Sequence, residues 1–279
     1  MKLVMTLLVD DAADVVDAQI AYHLNAGVDL VLAAGPAAAS TEILDRYERD
    51  GALRFLRRAE DDLHTLMARE AATKHGADWV INVRPGEFWW PRAESLKDVL
   101  AAIPPRYTIV QGLLRQFEPR AGADDSFAER MTQRRSLQNA TDAGPALLRP
   151  VHRADPTAVV EADGTVRIAR SVPLRAWYPL EVLHFPATAA DGSTGEGELV
   201  VDTRLRDALR TLRDPGTRLT FSTPDIVDDA AYAVECAAVG EVDLPGLEAY
   251  ISELEQRVAW LEQRFWPRML RQLTRLARR

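Results

Sequence analysis

The sequence lacks features that mark several classes of protein. Its 279 residues include one cysteine, Cys236, which excludes an internal disulfide framework and which we expect to be a small buried hydrophobe. The net charge of −8 excludes a general nucleic-acid binder. No apolar run approaches the ~18 residues that a membrane-spanning helix needs. The first apolar stretch runs directly into Asp10 and Asp11, unlike a secretory signal, so we expect a cytoplasmic protein that begins with a strand.

Apolar runs and helical periodicities alternate along the first 110 residues. Strands are predicted at 3–9, 28–34, 53–58 and 77–83, with helices in 11–27, 40–51, 61–76 and 95–103. This alternation predicts an α/β fold with a mainly parallel sheet and helices on both faces. Ligands of such sheets bind beyond the carboxyl ends of the strands, here 10–11, 35–36, 60–62 and 84–87.

After Tyr107 the alternation ends and shorter elements are predicted. The stretch 107–119 indicates one or two strands, and a helical piece is predicted around Phe127 to Arg135. A hairpin is expected to turn at Asp163-Gly164. An apolar strand follows at 177–186, and a helix is predicted from Leu199 to Leu212.

The C-terminal segment 245–279 is distinct from the predicted domain 1–240. Its apolar residues recur at heptad spacing, and its last part carries six arginines and no acid. The seam predicts a helix that forms a coiled coil with another copy or a partner, or that docks on the chain's own body. The basic amphipathic tail suits an anionic membrane surface such as the inner membrane face; a solvated tail is the alternative.

The stretch "INVRPGEFWWP", residues 81–91, contains the most unusual turn of the sequence. A buried strand runs into Arg84-Pro85-Gly86, and Glu87 with three aromatic residues follows at once. The dipeptide Pro85-Gly86 is favourable in a tight turn on its own.

Several phrases of the sequence occur together in one family. The phrases "TEILDRYERDG", "ATKHGADWVIN", "EFWWP", "LAAIPPRY", "HRADP" and "WYPLEVLHFP", together with residues 1–34, lie in order over roughly residues 1–186. They resemble bacterial family 2 type glycosyltransferases, in the branch with an EFWWP-like segment. The resemblance implies a GT-A-like fold, that of nucleotide-diphospho-sugar transferases, and transfer of a sugar to a polysaccharide, lipid-linked or small-molecule acceptor.

The sequence departs from this family at the donor site. Relatives carry an Asp-x-Asp motif immediately before Glu-Phe-Trp-Trp, where Mn²⁺ or Mg²⁺ stabilises the departing diphosphate. The equivalent positions here are Arg84, Pro85 and Gly86, so we expect no metal and no other cofactor. The end of the first strand and the loop after the second strand are altered as well.

The candidate donor-binding residues are Arg84, Glu87, Asp10 and Asp11. Arg84 could hold a diphosphate bidentately in place of the metal, or it is a surface arginine in a rebuilt turn. The resemblance gives Glu87 a supporting or metal-adjacent role; otherwise it is a solvated acid at a strand end. Asp10 and Asp11 could bind a nucleobase or ribose, or they end a strand and cap a helix.

The candidate catalytic residues are Asp61 and Asp62. One of them is explained as a helix N-cap, and the other could act as a general base.

Candidate acceptor or accessory residues follow from the resemblance and from the aromatic cluster. A sugar ring could stack on Trp89 or Trp90, although at least one of them is expected in the core. The remaining candidates, each either functional or a structural hydrogen-bonding residue, are His152, Asp155 and His184.

Two functions are consistent with these residues. The first is a catalytically silent family 2-like glycosyltransferase homologue that acts as a partner or regulatory subunit of an active enzyme. The alternative is an active, metal-independent nucleotide-sugar glycosyltransferase in which Arg84 replaces the metal.

Overall fold

The computed structural model describes residues 1–9, 13–36, 41–58, 62–92, 94–120, 126–135, 148–174, 178–186, 199–213 and 217–221. The candidate residues Asp10, Asp11 and Asp61 lie outside these ranges. The same holds for Cys236 and for the C-terminal segment with its predicted heptad helix.

The described residues form twelve strands and six helices. The strands are β1 Leu3–Leu8, β2 Leu30–Gly35, β3 Leu53–Arg57, β4 Trp79–Val83, β5 Glu87–Pro91, β6 Ile109–Gln116, β7 Gln133–Arg135, β8 Leu148–Arg153, β9 Val159–Val160, β10 Val166–Arg167, β11 Leu180–His184 and β12 Leu199–Val201. The helices are α1 Ala13–Asn25, α2 Thr41–Arg49, α3 Leu63–Thr73, α4 Leu96–Ala101, α5 Phe127–Arg130 and α6 Arg204–Leu212. None of these six helices has the length and apolar content needed to cross a membrane.

Eight of the strands form one large sheet, in the order β3-β2-β1-β4-β8-β6-β11-β5. Pairs β2–β3, β1–β2, β1–β4 and β6–β11 are parallel. Strands β8 and β5 run antiparallel to their neighbours. The predicted α/β fold with a mainly parallel sheet flanked by helices is therefore confirmed.

The sheet curls because β4 and β5 are adjacent in sequence but separated by three strands. Four steps between flat neighbouring strands would cover about 19 Å. The four residue-to-residue steps from Val83 to Glu87 reach at most about 14 Å even when fully extended. Here they form a turn closed by a 3.1 Å hydrogen bond from Glu87 N to Arg84 O, so the real distance is shorter still. The turn therefore holds the far edge of the sheet near its centre.

Two apolar layers cover the two faces of the sheet. The larger layer contains Val16 and Ile20 of α1, Leu44 of α2, and Leu96 of α4. The smaller layer contains Met67, Ala68 and Ala71 of α3, together with residues of the β9–β10 hairpin. The hairpin turns at Asp163-Gly164, where the sequence indicated it, and packs beside α3.

Strand β5 is an edge strand, and polar side chains of α1 satisfy its outer backbone groups. Gln19 Nε2 donates to Arg84 O at 2.7 Å and to Glu87 O at 3.0 Å. Tyr22 Oη donates to Trp89 O at 3.1 Å, and Trp89 N donates to His23 Nε2 at 3.1 Å. An uncovered edge would leave these groups without partners or open to another chain. This explains why a buried helix face carries three polar residues.

Two sequence-based predictions of secondary structure are wrong in part. The predicted helix from Leu199 begins only at Arg204, because Leu199–Val201 pairs with β7 as strand β12. The helical piece predicted up to Arg135 ends at Arg130 for the same reason, since Gln133–Arg135 is the partner strand. In both cases a non-local pairing replaces the helix, in one of them on a β-branched stretch.

The edge contacts of β5 make the stability of the fold depend on Gln19. We expect Gln19→Leu to lower the free energy of unfolding by about 1–3 kcal/mol, because it removes the donor to two buried carbonyl groups. Urea denaturation measures this change. The same substitution at the exposed Asn25 on α1 is the control and should cost within about 0.5 kcal/mol. Equal losses at both sites would contradict the role of Gln19.

Burial of His23, His64 and His152 makes stability fall with acidity. Burial lowers the pKa of each to about 4, from an ordinary value of 6.5. The unfolded chain therefore binds protons first as pH falls below 6.5, and each histidine costs about 2 kcal/mol of stability at pH 5.

His152→Asn tests this dependence, since an Asn side chain can keep the donor that His152 Nδ1 supplies to Arg153 O at 2.8 Å. We expect the loss of unfolding free energy between pH 7 and pH 5 to be about 2 kcal/mol smaller in this variant than in the wild-type protein. An unchanged pH dependence would contradict a neutral, buried His152.

Candidate functional site

A cleft of about 500 Å³ lies between one face of the large sheet and the β9–β10 hairpin. It is located where β4 ends, which is one of the positions that the sequence predicts for a ligand. Of the predicted site residues, Arg84 is part of its wall. The lining residues are Arg84, Gln111, Leu148, Arg149, Pro150, Asp163, Thr165 and Val166.

The turn Arg84-Pro85-Gly86-Glu87 forms one end of this cleft. Proline at its second position and glycine with φ of 77° at its third are typical of a type II turn. A Cβ atom on Gly86 would lie 2.2 Å from Phe185 O, and Phe185 N donates to Gly86 O at 2.8 Å. Glycine is therefore required here both by conformation and by the close approach of the chain beyond β11.

The Glu87 carboxylate is buried and bonded on both oxygens. Only 1% of the residue is exposed. Arg149 Nε donates to its Oε1 at 2.7 Å, and the backbone N of Arg84 donates to its Oε2 at 3.2 Å. The alternative of a solvated acid at the strand end is therefore wrong. Glu87 instead joins β5 to β8 across the curl of the sheet through a buried ion pair.

The hairpin holds the Arg84 side chain at the mouth of the cleft. Arg84 Nη2 donates to Ala162 O at 2.6 Å. A Cβ atom added to Gly164 would lie 3.0 Å from the same nitrogen, so the guanidinium rests against the glycine of the hairpin turn. Arg84 is partly buried and held by the hairpin, which is compatible with either predicted role, a diphosphate-binding group or an arginine of a rebuilt turn.

Two arginines and two carboxylates surround the cleft, and only one of the carboxylates is buried. Glu87 is that buried acid, and Asp163 is the exposed acid of the hairpin turn. Burial lowers the pKa of Arg84; Glu87 and Asp163 oppose this shift, whereas the positive charge of Arg149 adds to it. A guanidinium stays protonated in proteins, so the two like charges are retained near one another. An anionic ligand would relieve this repulsion.

The side chains of the cleft suit an anion better than a divalent cation. Mg²⁺ and Ca²⁺ require several oxygen ligands, whereas the cleft presents two guanidinium groups and one exposed carboxylate. His184 lies opposite Glu87 in the β11–β5 register, yet both Glu87 oxygens accept hydrogen bonds from arginine residues. Within the described ranges, no three His, Cys, Asp or Glu side chains are grouped to hold a metal.

The two tryptophans after Glu87 are part of the core. Trp89 is fully buried and Trp90 nearly so, both on β5. Trp90 packs edge-on against Phe221 with ring centroids 5.0 Å apart, and the Arg204 guanidinium lies 5.2 Å from its ring centre. No face of Trp89 is available to a sugar ring in this structure, in agreement with the expectation that at least one of the pair is core.

The remaining predicted residues are dispersed around the sheet. His152 is buried under the α3 layer, two residues deeper in the sheet than the cleft. Asp155 Oδ1 accepts from Thr157 N at 2.7 Å, which fixes the loop before the hairpin. Asp62 is exposed with φ of 68° and makes no side-chain cap bond to α3. Among the described candidates, the structure thus brings together Arg84, Glu87 and His184 and places the rest elsewhere.

A second buried ionic cluster, which no sequence pattern indicated, lies among β6, β11 and α6. Arg115 Nε donates to Glu181 Oε1 at 2.7 Å, and Arg204 bonds both Glu181 and Asp202. Burial alone would raise the pKa of Glu181, but Arg115 and Arg204 lower it to about 2. Glu181 is therefore held ionised between its two arginine partners.

Comparison with known proteins gave structural matches alone. No family model matches the chain, and no curated protein matches it. A cytidylyltransferase from Leptospira borgpetersenii serovar Hardjo-bovis aligns at TM-score 0.28 and 9% identity over 40% of this chain and 52% of that one. HddC from Yersinia pseudotuberculosis aligns at TM-score 0.28 and 12% identity over 43% and 65%. A 4-diphosphocytidyl-2C-methyl-D-erythritol synthase aligns at TM-score 0.29 and 8% identity over 84% and 99%. The chain spans about half to two thirds of the first two structures.

The Glu87–Arg149 pair can be tested by a double-mutant cycle. We expect Arg149→Met to lower the free energy of unfolding by about 3–5 kcal/mol, because it leaves a buried carboxylate without its counter-ion. The double variant Glu87→Gln/Arg149→Met should recover part of this loss, since no buried charge remains. Urea denaturation of both variants gives the values. A cost of Arg149→Met no larger than that of Arg106→Met at an exposed position would contradict a buried pair.

Proposed function

We propose that the protein binds a nucleoside diphosphate sugar in the cleft without a divalent cation and is a catalytically silent relative of family 2 type glycosyltransferases. The observation that carries this proposal is the pair Arg84 and Arg149 at the end of β4. This is where the resemblance predicts the metal-binding turn. The scaffold phrases of the family are retained, whereas the carboxylates that would hold the metal are replaced by a guanidinium.

Arginine can take over the electrostatic part of the metal's role. Its planar guanidinium donates two parallel hydrogen bonds to phosphate oxygens and carries a permanent positive charge. Arg84 donates to a neutral acceptor, Ala162 O, so transfer of the guanidinium to a diphosphate would exchange this carbonyl for an anionic acceptor. Arg149 contributes the second positive charge while it neutralises Glu87.

The proposal of catalytic silence rests on the buried carboxylates. Inverting sugar transfer needs a carboxylate poised to accept a proton from the acceptor hydroxyl. Among the described residues, the buried carboxylates are Glu87, Glu181 and Asp202, and each is bonded to arginine. The candidate base Asp62 is exposed, so the described residues offer no buried carboxylate free to act as a base. A chain that binds the donor without such a base would serve an active transferase as a partner or regulatory subunit.

An active, metal-independent transferase is the second candidate. It is favoured by the same two guanidinium groups, because they would stabilise the negative charge that develops on the departing diphosphate. The two candidates share the binding site and differ in turnover. Release of UDP from UDP-sugars in the presence of candidate acceptors, without added metal, would favour the active enzyme.

Calorimetric titration tests the proposed binding. We expect the protein to bind at least one of UDP, GDP and dTDP with the same affinity in Mn²⁺ and in EDTA. Arg84→Ala should weaken that binding by about tenfold or more, because it removes charge-assisted hydrogen bonds. Arg106→Ala, an exposed arginine near the amino end of β6, is the matched control and should leave the affinity unchanged.

Two results would contradict the proposal. Binding that requires Mn²⁺ would mean that carboxylates outside the described cleft hold a metal. Absence of binding to all three nucleotides would leave the cleft without a nucleotide ligand.

A further inference from the structure

A polar group of three side chains lies on the face of the sheet that the cleft shares. Thr6 of β1 and Asn82 of β4 are opposite each other in register, and Thr6 Oγ1 donates to Asn82 Oδ1 at 2.9 Å. His64, in the first turn of α3, places Nδ1 2.8 Å from the same Thr6 oxygen. Because the Thr6 proton goes to Asn82, His64 Nδ1 carries a proton and donates it to Thr6.

This group ends in two buried atoms without a hydrogen-bond partner, His64 Nε2 and Asn82 Nδ2. With the bonds above, Nε2 is an acceptor and Nδ2 is a donor. Rotation of the Asn82 amide by 180° would reverse both roles but would still leave one donor and one acceptor. Asn82 is 8% exposed, and buried polar atoms of this kind are normally satisfied. The pair therefore has the requirements of a group that both donates and accepts, such as a hydroxyl.

The two atoms lie next to the anion-binding end of the cleft. Asn82 precedes Arg84 by two residues, at the end of β4, so their Cα atoms lie within about 7 Å of each other. Burial is the main cause of the lowered pKa of His64. Arg84 is close enough for its positive charge to lower this pKa in addition. A third buried atom without a hydrogen-bond partner is Gln111 Oε1. Gln111 is part of the cleft wall and lies opposite Pro150 in the β6–β8 register.

We propose that His64 and Asn82 recognise a hydroxyl of the sugar ring that is esterified to the phosphate held at Arg84. The inference rests on the proposed function, and it adds specificity-determining residues to the same site. A sugar ring that is joined directly to a phosphate at Arg84 is long enough to extend to Asn82. Both polar atoms are enclosed in this structure, so the ligand reaches them through a shift of neighbouring side chains. The ring is either the ribose or the transferred sugar, which share this chemistry.

Titration of the full-length protein with matched ligands tests the proposal. The ribose arm compares UDP with its 2′-deoxy and 3′-deoxy forms, and the sugar arm compares UDP with UDP-glucose; GDP and GDP-mannose replace them if the protein binds guanine nucleotides. We expect the protein to prefer the hydroxyl-bearing ligand by about three- to tenfold in one arm. His64→Asn should abolish this preference, because Asn retains a donor near Nδ1 for Thr6 and has no group at Nε2.

Two further variants separate recognition from structure. His64→Gln places an amide near Nε2 and should restore part of the preference. His152→Asn makes the same change at a buried histidine whose Nε2 also lacks a partner but which lies outside the cleft, and it should keep the full preference.

Three results would overturn the inference. The first is equal affinity of the wild-type protein for all ligands of both arms. The second is a preference that survives in His64→Asn. The third is a variant His64→Asn that binds every ligand more weakly by the same factor. The last result would indicate a structural role, such as enclosure of an ordered water molecule. If the wild-type protein bound no nucleotide, the proposed function and this inference would both fail, whereas the three results above leave nucleotide binding intact.

Discussion

Only three residues join Val83 to Glu87, although three strands lie between β4 and β5 in the sheet. The sheet has to curl to meet this constraint, and the buried Glu87–Arg149 ion pair connects β5 with β8 across the curl. Gln19, Tyr22 and His23 then cover the free edge of β5. The position of Arg84, the glycine at position 86 and the cleft beside them all follow from this one connection. A longer or more flexible link would leave the site undefined.

The same connection determines the chemistry that the site can perform. A carboxylate at the end of β4 would ordinarily attract a cation, but Arg149 already neutralises Glu87 inside the protein. Arg84 adds a second positive charge, which the exposed Asp163 of the hairpin turn opposes. Under the proposed function, an arginine in place of a carboxylate pair would let the site attract a phosphate directly, without Mg²⁺ or Mn²⁺.

The layers of the fold could be predicted from sequence because they depend on local periodicity. Strands β1 to β4 and the helices between them follow apolar patterns of period 2 and 3.6, and their parallel order follows from the alternation. The hairpin at Asp163-Gly164 was predictable from its turn residues. Strand β12 was not, since its pairing with β7 joins segments about 65 residues apart and overrides the helical pattern there.

Only part of the candidate site could be predicted from sequence, because the rest depends on contacts between segments that are distant along the chain. Arg84 and Glu87 are marked by their position at the end of a strand, so sequence position alone identifies them as candidates. Arg149 and Gln111 come from later strands that the curl brings beside β4, and nothing local to either residue distinguishes them from structural residues. The polar group of Thr6, His64 and Asn82 is similarly assembled from three separate elements. Buried tryptophans could be taken for a binding platform because composition does not distinguish a core from a surface.

The most direct test of the account is a crystal structure of the protein grown with UDP and EDTA, or with whichever of the three nucleoside diphosphates binds most tightly. We expect diphosphate oxygens within hydrogen-bond distance of Arg84 and Arg149, with the Arg84 guanidinium moved from Ala162 O to the phosphate and no cation between them. A nucleotide bound elsewhere, or a diphosphate that contacts neither arginine, would contradict it.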